Sequence, residues 1–141
     1  MSRLHQKGFS LTEMMVALVI LGIIVGITLP LYSRHVENTR LTQARSVALQ
    51  LQQELKVLKL RAGQITDAEI EAVNEKAVSL TTENNLTAFF EFEAALVGNK
   101  IFVSVTPLDT SKAGLYTDST GEVFKCPDAA SVAARSSCTK Y

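Results

Sequence analysis

Residues 9–32 read FSLTEMMVALVILGIIVGITLPLY. Between Phe9 and Ser33 the only charge is Glu13, and Met14–Leu31 is a run of eighteen residues with none. About eighteen apolar residues are the minimum for a helix to cross a hydrocarbon core. Phe9–Thr12 lengthen the segment to a full span once Glu13 is accommodated. Upstream stands a short polar leader, MSRLHQKG, with Arg3 and Lys7. A cleavable secretory signal would share that basic start, but its apolar part is shorter and ends in a small-x-small site. Here the stretch closes on Pro30-Leu31-Tyr32-Ser33. A plain signal anchor fits the length and leaves Glu13 unexplained. Arg34, Arg40 and Arg45 follow the span closely, so the balance of flanking cations does not orient it.

Glu13 is the informative residue. An ionised carboxylate at the centre of a membrane helix costs about 2.5–3.5 kcal/mol, and somewhat less near an interface. One reading has it snorkel to the headgroups. The other gives it a cation inside an assembly. An amine at Phe9, four residues away, would lie about one helical turn from it. Pairing the two, within a chain or between chains, would replace two costly groups with one tolerable pair.

The chain has 141 residues, enough for one small domain beside this segment. Its net charge is zero, and without residues 1–8 it has 12 Lys+Arg against 14 Asp+Glu, a formal −2. A nucleic-acid binder would be basic. No HExxH, GxSxG or Walker A motif is present, and no catalysis is expected. Cys126 and Cys138 lack zinc partners, because His5 and His35 lie far upstream. They form a disulfide if this half of the chain is outside the cytosol, and are free thiols if it is inside.

Downstream of the apolar run, Leu41, Ala44, Ala48, Leu51, Leu55 and Leu58 recur at helical steps, with Arg40, Arg45, Gln52, Glu54, Lys56 and Lys59 on other faces. The spacing predicts one helix from Phe9 to Arg61, stopped by Gly63. Thr66 and Glu69 have capping-box spacing, which predicts a second helix over about 67–78 with an acidic exposed side (Asp67, Glu69, Glu71, Glu75). Strands are predicted at Thr87–Ala95, Ile101–Val105, Leu115–Thr117 and Glu122–Cys126, the last two joined by a turn at Asp118–Gly121. The Asp118 and Glu122 carboxylates fall short of the oxygen count that a calcium loop needs. A long helix followed by an antiparallel sheet of about four strands is an α+β fold.

Lys7-Gly8, Phe9 and Glu13 at this spacing, followed by Gly22 and Pro30, resemble the class III signal of type IV prepilins. The resemblance implies that a prepilin peptidase cuts between Gly8 and Phe9 and N-methylates Phe9. It also implies that Glu13 guides assembly, and that the helix loosens between Gly22 and Pro30 in a filament. It divides the chain into a cleaved leader (1–8), a transmembrane and filament-core helix (9–33) and a globular head (34–141). By the same resemblance, Cys126 and Cys138 form the disulfide that bounds a C-terminal loop. Gly114–Tyr141, with Lys125-Cys126 followed by Asp128-Ala129-Ala130-Ser131, is most similar to a neisserial minor pilin.

The expected function is therefore a minor pilin, a structural subunit that modulates aggregation and adhesion. Its expected partners are other pilin subunits, the peptidase, the inner membrane before assembly, and neighbouring cells or a host surface. No cofactor, metal or nucleic acid is expected. The alternatives are a type II secretion pseudopilin, which shares the N-terminal features, and a DNA-uptake minor pilin, to which the tail offers only Lys125, Arg135 and Lys140.

Overall fold

A computed structural model describes residues 8–141. Of the expected leader, Met1–Lys7 therefore lie outside the described residues, Arg3, His5 and Lys7 among them. The chain divides between Asn38 and Thr39 into two units.

The first unit is helical. Helix α1 runs Leu11–Ala62, and its residues up to Asn38 belong here. It starts two residues later than the expected Phe9, because Ser10 takes the capping position. Every residue from Gly8 to His35 is exposed, including Leu11 at 79% and Leu29 at 65%. The helix continues through Pro30, although a proline has no N–H to give to the carbonyl four residues back.

In the second unit α1 ends where expected. Gly63 takes a left-handed φ of 75° and its N–H donates to the Lys59 carbonyl at 2.9 Å, a conformation that glycine adopts at little cost. Leu41, Ala44, Ala48, Leu51 and Leu55 are buried and Leu58 is half-buried, so the apolar stripe is the core face. Helix α2 (Asp67–Glu83) is longer than the predicted 67–78, since Val73, Ala77 and Thr81 carry the buried face another turn. Its capping box forms, with the Thr66 N–H donating to Glu69 Oε2 at 2.8 Å.

The sheet has five antiparallel strands in sequence order: β1 (Phe90–Val97), β2 (Lys100–Pro107), β3 (Gly114–Thr117), β4 (Val123–Cys126) and β5 (Thr139–Lys140). The expected four are present. The fifth is a two-residue strand with no periodicity to read, pinned by pairing of Phe124 with Lys140 and Lys125 with Thr139. Phe90, Phe92 and Ala94 on β1, with Ile101, Val103 and Val105 on β2, point inward and join the α1 stripe in one core. Glu91 and Glu93 point outward. The first strand is an edge, and Asn74 of α2 closes part of it: its Oδ1 accepts the Ala94 N–H at 2.7 Å and its amide donates to the Ala94 carbonyl at 3.3 Å.

Two predictions are corrected. The C-terminal segment is not all loop, because it contains helix α3 (Ala129–Ala134). Asp128 starts α3, its Oδ1 accepting the Ser131 N–H at 2.7 Å, and Arg135 ends it in a left-handed conformation, φ 51°. Gln52, expected on a face other than the apolar stripe, is buried beside it. It is 1% exposed, and its amide donates to the Asp118 carbonyl. Lys56 and Lys59 extend the same row, donating to the carbonyls of Thr120 and Asn99, both at 2.8 Å. Three successive polar side chains of α1 thus hold the turns of two hairpins.

Candidate functional site

The start of α1 is built by four residues. Ser10 precedes the helix, its carbonyl accepts the Met14 N–H at 3.2 Å, and its own N–H donates to Glu13 Oε2 at 2.9 Å. The Ser10 and Thr12 hydroxyls are hydrogen-bonded to each other. Glu13 therefore closes the first turn of its own helix, where the macrodipole favours a carboxylate. The same carboxylate heads an otherwise apolar strip of Val16, Ala17 and Ile20. Gly8 and Phe9 precede the helix and are exposed, Phe9 at 80%.

Further along, a Cβ on Gly22 or Gly26 would meet nothing within 4 Å among the described residues, so neither glycine is required by packing inside the chain. Thr28 Oγ1 donates to the Ile24 carbonyl at 2.6 Å and Ser33 Oγ to the Pro30 carbonyl at 3.0 Å, which places two hydroxyls on the backbone around Pro30. By length and composition the helix can cross a membrane, with a mean hydropathy of 2.7 over its most apolar eighteen residues. That helix and the signal fit a membrane-anchored precursor.

At the other end of the chain, Cys126 and Cys138 form a disulfide. It ties α3 to β4. The helix inserts Val132, 1% exposed, against Gly114, where a Cβ would come within 2.5 Å of Val132 Cγ2 and 2.7 Å of the Val105 carbonyl. The three tail cations are all engaged. Arg135 stacks 4.3 Å over the Phe102 ring, Lys125 lies 5.8 Å from the Tyr141 ring, and Lys140 pairs with Glu122. Tyr116 and Phe124 stack at 5.0 Å on the same outer sheet face as Phe102.

The Asp118 carboxylate serves its own turn: Oδ1 accepts the backbone N–H groups of Thr120, Gly121 and Glu122 at 2.9–3.1 Å. Burial pushes its carboxyl up, and bonds from Thr120, Glu122 and Gly121 outweigh it, holding the group below the usual carboxylate range.

Comparison with known proteins bears on the N-terminal segment and on the fold. The family model described as the prokaryotic N-terminal methylation motif matches residues 3–29. No curated protein matches the chain in sequence. Among solved structures, the minor type IV pilin PilX of Neisseria meningitidis shares the fold with a TM-score of 0.50. It is 14% identical, and the match covers 77% of this chain and 98% of that one. Identity that low speaks for the fold alone. By the motif at its N-terminus and by its fold, the chain is type IV pilin-like.

Proposed function

We propose that the chain is a minor pilin of a type IV pilus, made as a single-pass inner-membrane precursor and assembled into an extracellular filament. One observation carries this reading: the methylation motif runs into a helix whose large apolar side chains are exposed from Leu11 to Tyr32. Such a surface needs lipid or other apolar helices around it. Prepilin peptidase removes residues 1–8 between Gly8 and Phe9 and methylates the new amine. In the water-poor filament core, the Phe9 amine of one subunit neutralises Glu13 of a neighbour, where an unpaired charge would be costly. Gly22 and Pro30 let the helix loosen as it packs.

The head is structural and carries no catalysis. Its disulfide-bounded tail is the surface through which the subunit modulates aggregation and adhesion of cells. Intact mass of the native protein, from membranes and from sheared filaments, tests the reading. The expected chain begins at methylated Phe9, is two hydrogens light for the disulfide, and is present in sheared material at low stoichiometry to the main subunit. A full-length chain confined to membranes of peptidase-competent cells would overturn it.

A further inference from the structure

In the unit Thr39–Tyr141 the large apolar side chains that remain exposed are Val57, Leu60, Val78, Val97 and Leu108. They are not scattered. Val57 and Leu60 lie in the last turns of α1, and Val97 adjoins the β1–β2 turn that Lys59 binds through the Asn99 carbonyl. Leu108 belongs to the opposite end. Its N–H donates to the Phe89 carbonyl, and the Phe89 ring lies 3.7 Å under Arg40. Twenty residues of α1 separate Arg40 from Leu60, about 30 Å at helical rise. Val78 and Leu108 border one groove at that end, of about 360 Å³, with Phe90, Phe92, Glu91 and two threonines, Thr81 and Thr87, as its remaining walls.

The two ends are complementary in shape and charge. Leu60 is a knob, 85% exposed, flanked by Lys59 and Arg61. The groove is a mainly apolar hollow with Glu91 as the charged residue in its wall. It adjoins the C-terminal end of α2, which has Glu83 and no basic residue in its last turn. Helix C-termini attract cations, and this one has none of its own. We infer that the groove receives the α1 C-terminal end of a second copy of this chain, Leu60 entering between Val78 and Leu108 and Arg61 meeting Glu91. Because the two surfaces differ, the contact is head-to-tail and propagates as an open row, which suits a filament and not a closed dimer. It rests on the pilin reading and deepens it: copies enter the filament next to one another, in runs.

The test uses the full-length chain in cells that assemble filaments. Leu60→Cys and Leu108→Cys are introduced singly and together, the native cysteines being already paired. Sheared filaments are treated with a mild oxidant and run without reductant. The double variant is expected to give dimers and longer ladders of this chain, and each single variant a monomer. Arg61→Glu should lower the cross-linked yield roughly tenfold, and adding Glu91→Arg should restore it. The inference is overturned if the double variant is present in filaments without the ladder, if the single variants cross-link equally well, or if the product joins this chain to a different pilin. Absence of the chain from sheared material would instead remove the filament reading. The same cross-link in the membrane fraction then decides the contact, its presence supporting the inference and its absence overturning it.

Discussion

The Ser10 N–H donates to Glu13 Oε2 at 2.9 Å, so the one carboxylate of the apolar segment is held by the start of its own helix. This bond uses one oxygen of Glu13 and requires no charge. The proposed pairing with a neighbour's Phe9 amine does require charge. Glu13→Gln keeps an acceptor for Ser10 and loses the charge, whereas Glu13→Ala loses both. Both variants are expected to accumulate in the membrane and to be depleted from sheared filaments, with Glu13→Gln the better folded at the helix start. Normal incorporation of Glu13→Gln, measured by immunoblot of sheared material, would leave Glu13 as a helix cap and nothing more.

Gln52 is the polar residue that α1 buries against the sheet. Replacing it with leucine keeps most of the volume and leaves the Asp118 carbonyl with the Gly121 N–H, at 3.1 Å, and without the Gln52 amide. Loss of one hydrogen bond of this kind costs about 0.5–1.5 kcal/mol net. Gln52 Oε1 itself has no partner among the described residues, so removing it recovers part of that cost. Gln52→Leu is expected to destabilise the head by about 1 kcal/mol. Lys56→Ala, which removes an exposed donor to the neighbouring Thr120 carbonyl, should cost less. Thermal unfolding of the detergent-solubilised chain compares the two.

Gly114 is required for close approach rather than for an unusual backbone angle. An added methyl would stand 2.5 Å from Val132 and 2.7 Å from Pro107 Cδ. Gly114→Ala must therefore displace α3 or spread β2 from β3, and overpacking of this kind costs about 1–3 kcal/mol. The expected signature in hydrogen exchange is faster exchange at Ala129–Ala134 with Leu41–Leu55 unchanged.

How far the sequence was legible depended on period and on caps. The stripe from Leu41 to Leu58 and the alternation through Phe90, Phe92 and Ala94 each repeat enough times to specify a face, and both faces are buried as read. Thr66 and Glu69 announced α2 through their spacing. Ser10 and Glu13 have that same spacing, so the near partner of Glu13 was legible where a distant one was expected. Helix α3 was signalled by Asp128 before an Ala-rich run, but six residues are too few to show a period. The fifth strand and the burial of Gln52 had no local signal. Each depends on where the chain returns after a long excursion, Lys140 beside Phe124 and Asp118 above α1. Of the candidate site, the disulfide followed from resemblance, and a side chain at Gly22 would meet nothing within 4 Å among the described residues, so packing inside the chain does not call for that glycine.

Acid should loosen the turns before the core. Backbone N–H bonds hold Glu69 and Asp128 below the usual carboxylate range, from Thr66 and Ser131 respectively, and Asp118 is held there despite its burial. A carboxyl with a lowered folded pKa contributes stability that is complete above its unfolded value, about pH 4, and is lost as pH falls through the folded one. Stability is thus expected to be flat from neutral pH to about pH 4 and to decline below it. Asp128→Asn retains a capping side chain and cannot titrate, so it should shrink the acid-dependent part while changing the neutral unfolding midpoint little. An unchanged acid limb in that variant would remove Asp128 from the account.

The disulfide closes a loop with a sequence separation of 12, which in the chain-entropy picture contributes roughly 3 kcal/mol to a folded head. The loss should be uneven. The α1 stripe and the inner faces of β1 and β2 belong to a core that includes none of residues 127–138, whereas α3 is held to the outer sheet face by Val132, by Arg135 over Phe102 and by the bridge. The paired substitution Cys126→Ser and Cys138→Ser should therefore lower the unfolding midpoint of the solubilised chain. It should also open residues 127–138 to hydrogen exchange while Leu41–Leu55 stay protected. If the long helix lost its protection together with the tail, the bridge would be holding the whole head and not only α3.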